Sequence, residues 1–391
     1  MTQDDVAAAR AVFAQRLRPR RDDVAPTVLG AGHDDLEPGR EYLAALADGG
    51  WLTPTWPREY GGRGLTPTEA GAILRELDAF ETPDLYPYLV GLHVVAPTLL
   101  AVATPEQCAR WLPPLQRGDE IWCQLFSEPT AGSDLANLST RAERDGDEWR
   151  LTGQKVWTSR GHYSRWGLAL TRSDPAVPKH RGVTAFALDM TAPGVDVRPL
   201  RQINGDRHFC EVFLNGAPVP DRDRIGGVGE GWTVTRTALA NERGSLAGRS
   251  ASAGLGHHRL FELARSRGLA ADPRVRDRLA ALYVEAEVQR LTARRARAVA
   301  QTGQTPGPEG SGAKLRGSRV FKDTANLALD LLGAEGLTDE SEWQLLFLTA
   351  PSISIRGGTD EIQRNIVGER VLGLPAEPRV DIERPWNETP R

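Results

Sequence analysis

The texture of the chain changes in WCQLFSEPTAGSDLANLSTRAERDGDEWRLTGQKVWTSRG, residues 122–161. Its second half alternates apolar and polar residues. Further short β-rich runs follow: RWGLALTRS, GVTAFALDM, VDVRPL and CEVFLNGAPVP, divided by turn clusters such as TAPG. Together they read as a small β-domain. Upstream, EYLAALADGGWL, TEAGAILRELDAF and VVAPTLLAVATPEQCARWLPPL carry apolar residues at helical spacing. Downstream of RIGGVGEGW the helical pattern returns in long segments, interrupted by TGQTPGPEGSG, which reads as a loop. The expected organisation is an N-terminal α-helical domain over 1–121, a middle β-domain over 122–228 and a C-terminal helical domain over 229–391, an α+β fold.

Bulk composition narrows the classes. The 391 residues are too many for one ordinary core, and a formal net charge of −4 gives no reason to expect a nucleic-acid partner. The arginine-dense RLTARRARA falls on a helical pattern and reads as a solvated face. Cys108, Cys123 and Cys210 are far apart and make no CxxC pair, so neither a metal knuckle nor a disulfide framework is indicated. That suits a reducing cytoplasm. The N-terminus lacks the apolar core of a secretory signal, and no stretch reads as a membrane span.

Two motifs carry a family resemblance. Residues 122–161 are similar to the first acyl-CoA dehydrogenase signature, and SISIRGGTDEIQRNIVGERVLGLP, residues 352–375, to the second. WPREYGGRGL and GEGW also sit where the family has comparable pieces, so the resemblance covers nearly the whole chain. It implies the acyl-CoA dehydrogenase fold: an N-terminal helical domain, a middle β-barrel-like domain and a C-terminal four-helix bundle, with FAD held between them and across a subunit interface. A flavin ring needs preorganised donors at its polar edge, because the reduced ring carries negative charge. By the resemblance, Phe126 and Ser127 face the pyrimidine edge and Ser133 lies near the cofactor or the pantetheine arm. Trp157 covers one flavin face, and Ser159 hydrogen-bonds the ring. Gly333 and Gly336 of LDLLGAEG match a loop that contacts the pyrophosphate of the partner's FAD, although Asp330 and Ala334 depart from the usual residues. Thr359 and Glu361 fall at further FAD-contacting slots. Arg265 and Arg267 are the candidates for the adenine end.

The commonest form of the second signature carries its catalytic glutamate where this chain has Gly357. Removing the weakly acidic α-proton of an acyl thioester calls for a desolvated carboxylate. Arg356, the neighbour, cannot be deprotonated usefully. Part of the family places the glutamate on the first long C-terminal helix instead, directly before an arginine, and LANERGSLAG resembles that form. Glu242 is therefore the expected base, with Arg243 in support. Ala238, Glu242, Ser245 and Arg249 share one helix face. His93 is expected to be a satisfied core histidine. The adjacent His257 and His258 point about 100° apart, poor geometry for one metal, and no metal site is expected.

The expected function is FAD-dependent α,β-dehydrogenation of an acyl thioester carried on CoA or an acyl carrier protein. Electrons would pass to an electron-transferring flavoprotein or other acceptor, and a homodimer or homotetramer is implied. Two alternatives stay open: a flavin monooxygenase or oxidase of the same fold, and the non-catalytic subunit of a heteromeric dehydrogenase.

Overall fold

The structure is a computed structural model and describes residues 3–20, 35–249, 257–301, 307–308, 310–338 and 341–389. The first helical layer contains α1 (Gln3–Arg16), α2 (Glu37–Ala47), α3 (Pro67–Arg75), α4 (Ala96–Val102) and α5 (Pro105–Arg117). Local chemistry sets their ends. Thr66 with Glu69 caps α3, Thr104 with Gln107 caps α5, and each pair satisfies backbone donors reciprocally. Gly118, at φ 75°, closes α5. A π turn, Gly91–Val95, leads into α4.

The middle layer contains β1 (Trp122–Leu125), β2 (Arg141–Asp145), β3 (Glu148–Ser159), β4 (Trp166–Arg172), β5 (Val183–Asp189), β6 (Val195–Leu200), β7 (Phe209–Pro220) and β8 (Arg224–Ile225). They form one sheet in the order β6-β7-β3-β2-β4-β5-β8, with β1 parallel to β4. The β3–β7 register shifts between Lys155 and Thr158, so the ladder is broken at Trp157. Such bulges re-aim a side chain.

The C-terminal layer contains α6 (Gly231–Arg249), α7 (His257–Ser266), α8 (Pro273–Gln301), α9 (Gly310–Leu332), α10 (Glu342–Ile353) and α11 (Asp360–Ile366). Helix α9 packs against the other five. Its core includes Leu260, Leu282, Leu327, Leu331, Trp343 and Leu346. Helix α6 also buries Val234 and Ala238 in a core shared with Leu99 of α4, Trp111 of α5, and Trp122 and Trp166 of the sheet. The Trp122 and Trp166 rings stack at 5.9 Å, and Trp111 meets Trp122 edge-on at 5.6 Å. One apolar cluster thus fixes α6 against both other layers.

Residues 381–389 return to the sheet as a strap. Trp386 N donates to the Val177 carbonyl at 2.9 Å, and its indole Nε1 donates to Asn137 Oδ1 at 2.9 Å. Lys179 Nζ bridges Asp134 at 2.9 Å and Asp381 at 2.5 Å. The Arg172 guanidinium lies 4.9 Å from the Trp386 ring centroid.

Candidate functional site

The FSEPTAGS loop and the KVWTS strand are hydrogen-bonded to each other between positions 29 residues apart in sequence. Val156 N donates to the Ser127 carbonyl at 2.9 Å, and Lys155 Nζ donates to the Phe126 carbonyl at 3.1 Å. The same ammonium reaches Glu128 Oε1 at 2.8 Å, with both side chains sealed from solvent. Glu128 accepts three more bonds, from Ser139 N at 2.7 Å, Ser139 Oγ at 2.8 Å and Thr140 N at 2.9 Å. Burial pushes the Glu128 carboxyl up, but Lys155 and the donors of Thr140 and Ser139 outweigh it and hold the group at about 2. Sequence reasoning missed Glu128 and Lys155. Both stand inside the quoted motifs, and a Glu and a Lys in otherwise apolar β-rich segments were the available signal.

This pinned junction presents Trp157. Its backbone sits at φ 59°, unusual for a bulky residue, and the side chain is 59% exposed, with Phe209 edge-on at 5.8 Å. A large indole held outward by a strained bulge is costly unless something flat covers it. Phe126 is buried, Ser127 and Ser159 are half-buried and Ser133 is exposed. Arg160, at φ 53°, is 1% exposed, and its guanidinium lies 4.7 Å from the centroid of Tyr86.

The expected base lies on α6. Asn241 Nδ2 donates to Thr98 Oγ1 of α4 at 3.2 Å, and Thr98 in turn donates to the Val94 carbonyl at 2.6 Å. Glu242 follows Asn241 one turn beyond the fully buried Ala238 and is half-buried, on a helix that packs on the 91–95 turn and α4. The side chains of Arg243, Ser245, Arg249 and His257 lie outside the described residues. Gly357 adopts φ 67°, and its carbonyl accepts from Gln363 Nε2 at 3.1 Å. A side chain there would be strained, so the turn itself is not shaped to carry a glutamate.

The remaining positions are spread along the C-terminal layer. Thr359 caps α11, accepting from Ile362 N at 3.3 Å, and Glu361 is an exposed partner of Arg364 at 3.2 Å. Gly333 has φ 59° with open space around it, while a Cβ on Gly336 would stand 3.1 Å from the Leu329 carbonyl. Asp330 pairs with Arg278 at 2.7 Å, and Glu335 pairs with Arg267. One expectation is corrected: His93 is exposed, not a core residue. It lies in the π turn, whose wider spacing rotates side chains away from the register that a regular helix would give. Among the described residues, no group of three or more His, Cys, Asp or Glu could hold a metal, and no helix is long and apolar enough to cross a membrane.

An exposed indole beside a loop whose backbone is locked suits a flat ring with a polar edge. The sequence matches the acyl-CoA dehydrogenase N-terminal domain over residues 4–119, the middle domain over 123–217 and the C-terminal domain over 229–372. The acyl-CoA dehydrogenase IpdE1 of Mycobacterium tuberculosis is 38% identical, covering 89% of this chain and 91% of its own. The chain belongs to the acyl-CoA dehydrogenase family. This is a family of flavin-dependent oxidoreductases that dehydrogenate acyl thioesters. FadE34 of the same organism is 45% identical over 86% of this chain and 47% of its own, so the chain spans about half the length of that relative. Among solved structures, the Tcur3481-Tcur3483 steroid acyl-CoA dehydrogenase matches with a TM-score of 0.76 at 29% identity, covering 96% of this chain and 97% of that one. The α+β acyl-CoA dehydrogenase fold expected from the sequence is the fold observed.

Proposed function

We propose that this chain is an FAD-dependent acyl thioester dehydrogenase in which Glu242 takes the α-proton. The supporting observation is the pair of positions just described: Gly357 stands in a left-handed turn that disfavours a side chain, and Glu242 stands half-buried on α6, the helix that packs on α4. FAD, when bound, supplies the acceptor for the β-hydride. The residues fit it. Trp157 would cover one face of the ring and exclude water. Ser127 and Ser159 would donate to its polar edge, beside Phe126 and Ser133, on a backbone fixed by Lys155 and Glu128. Gly333 and Gly336 would contact the pyrophosphate of the partner subunit's FAD, Thr359 and Glu361 would contact FAD, and Arg243 would steady the Glu242 carboxylate. The thioester carrier is CoA or an acyl carrier protein, and electrons leave through a flavoprotein or another soluble acceptor in the cytoplasm. Exposed Tyr283, Val284, Val288 and Leu291 on α8 support a second subunit against that helix.

Glu242→Gln tests the assignment. Anaerobic addition of a thioester that bleaches the wild-type flavin band should bleach the variant slower by several orders of magnitude, with FAD content unchanged. Equal bleaching in the two proteins would remove Glu242 from the mechanism.

A second reading has its own observation. Arg278 and Arg267 are matched to Asp330 and Glu335 around the 333–336 loop, so these cations answer the chain's own carboxylates. That suits one half of a heteromeric dehydrogenase whose partner chain holds the distal end of the cofactor. Loss of FAD on purification alone, restored by co-expression with a homologous partner chain, would select it.

A further inference from the structure

Arg172, the last residue of β4, is 3% exposed. Among the described residues its guanidinium donates only to main-chain carbonyls: Ala136 at 2.5 Å, Leu138 at 3.2 Å and Lys179 at 2.6 Å. Its backbone N donates to the Thr140 carbonyl at 2.6 Å, so one residue grips the 136–140 segment twice. Burial pushes the guanidinium down to about 10, against the fields of Glu128, Asp174 and Asp134. A buried cation bonded to carbonyls alone gains from any further partner that excludes water. The face of Trp386 is that partner, its ring centroid 4.9 Å from the guanidinium carbon, and the indole is itself buried. Trp386 lies beyond residue 372, where the match to the acyl-CoA dehydrogenase C-terminal domain ends. Its neighbours hold it in place: Pro385 bridges Pro178, and Asn387 N donates to the Pro175 carbonyl at 3.1 Å.

The segment that Arg172 grips also holds the loop before it. Ser139 N and Thr140 N donate to Glu128, Glu128 accepts from Lys155, and Lys155 donates to the carbonyl of Phe126, next to Ser127. An unbroken series of direct contacts thus runs from Trp386 through Arg172, residues 136–140, Glu128 and Lys155 to Phe126. Removing the indole would let water compete for the guanidinium, slacken its hold on Ala136 and Leu138, and let Ser139 and Thr140 shift against Glu128. We propose that Trp386 is a positioning residue for FAD binding: its ring, closed over Arg172, sets the 136–140 segment and, through Glu128, the Phe126–Ser127 backbone. This rests on the FAD-dependent reading above. The device is noncovalent, with no bond made or broken, and it works from a strap outside the three matched domains.

The test compares wild type, Trp386→Ala and Trp386→Phe as full-length chains. FAD affinity is measured by flavin fluorescence, and the visible circular dichroism of the bound flavin is recorded, both well below the denaturation midpoint of the apoprotein. Trp386→Ala should bind FAD about tenfold more weakly and alter the dichroism. Trp386→Phe keeps a ring over the guanidinium but loses the indole N–H, and should recover most of the affinity. In an Arg172→Lys background, Trp386→Ala should cost much less than it does alone. A strap that only stabilises the fold lowers the midpoint and leaves affinity and dichroism as in wild type. That result overturns the proposal and leaves the dehydrogenase reading standing. So does a phenylalanine variant as impaired as the alanine one, which traces the loss to the Asn137 bond, or a loss of equal size in both Arg172 backgrounds. If Trp386→Ala does not fold, Trp386→Leu, which fills space without a π face, carries the same readout. Wild type that takes up no FAD, alone or co-expressed with a homologous partner chain, defeats the dehydrogenase reading and the proposal with it.

Discussion

Two segments that carry candidate-site residues are held in opposite ways. The 126–133 loop is fixed by a buried ion pair and a carboxylate with its lone pairs satisfied, whereas the 354–359 turn rests on two glycines and the Gln363 amide. Charge in low dielectric makes the first segment intolerant of change, because removing one partner strands the other. Backbone freedom makes the second permissive, and a left-handed glycine carries no chemistry of its own. The geometry of the 126–133 loop is therefore prescribed within one domain, and the base proposed on α6 belongs to an element that does not share in that ion pair.

The largest break in this contrast is Lys155→Met. It leaves Glu128 buried and unpaired and should cost about 3–5 kcal/mol, read as a lowered denaturation midpoint together with lost FAD. A smaller effect comes from acid. The Glu128 carboxyl is depressed from 4.5 to about 2 in the folded chain. Its contribution is thus complete above the unfolded value and is lost as the pH falls from 4.5 toward about 2. Stability measured across that range should fall less steeply in Glu128→Gln than in wild type. The smallest effect is Gly357→Ala, about 1 kcal/mol from placing a Cβ at φ 67°. A melting curve that the alanine leaves unmoved or raises would show that the turn is not set by its glycine.

Much of this arrangement was legible in sequence, for identifiable reasons. Alternation over 148–159 and helical spacing on either side reflect which faces are buried, so the α, β, α order could be read directly. Phe126, Ser127, Trp157 and Ser159 were named from motifs, and the structure brings the two motif segments into hydrogen-bonding contact. What periodicity could not reveal was the break in the ladder that turns Trp157 outward, because a bulge depends on pairing with β7, which is distant in the chain. His93 failed for a related reason: apolar neighbours suggest burial only while the turn stays regular, and a π turn moves the register. The meeting of Tyr86 with Arg160 and His208 joins two domains and leaves no local spacing to read.

The strap over residues 134–137 has a consequence for the order in which the chain can mature. Trp386 and Asn137 are 249 residues apart, yet their side chains share a hydrogen bond beside the loop that bears Ser133. During synthesis the sheet emerges long before its cover does. The loop must wait, unsealed, for the whole helical layer to be made and to dock. Sealing of that loop is thereby tied to synthesis as far as Trp386 rather than to folding of the sheet alone.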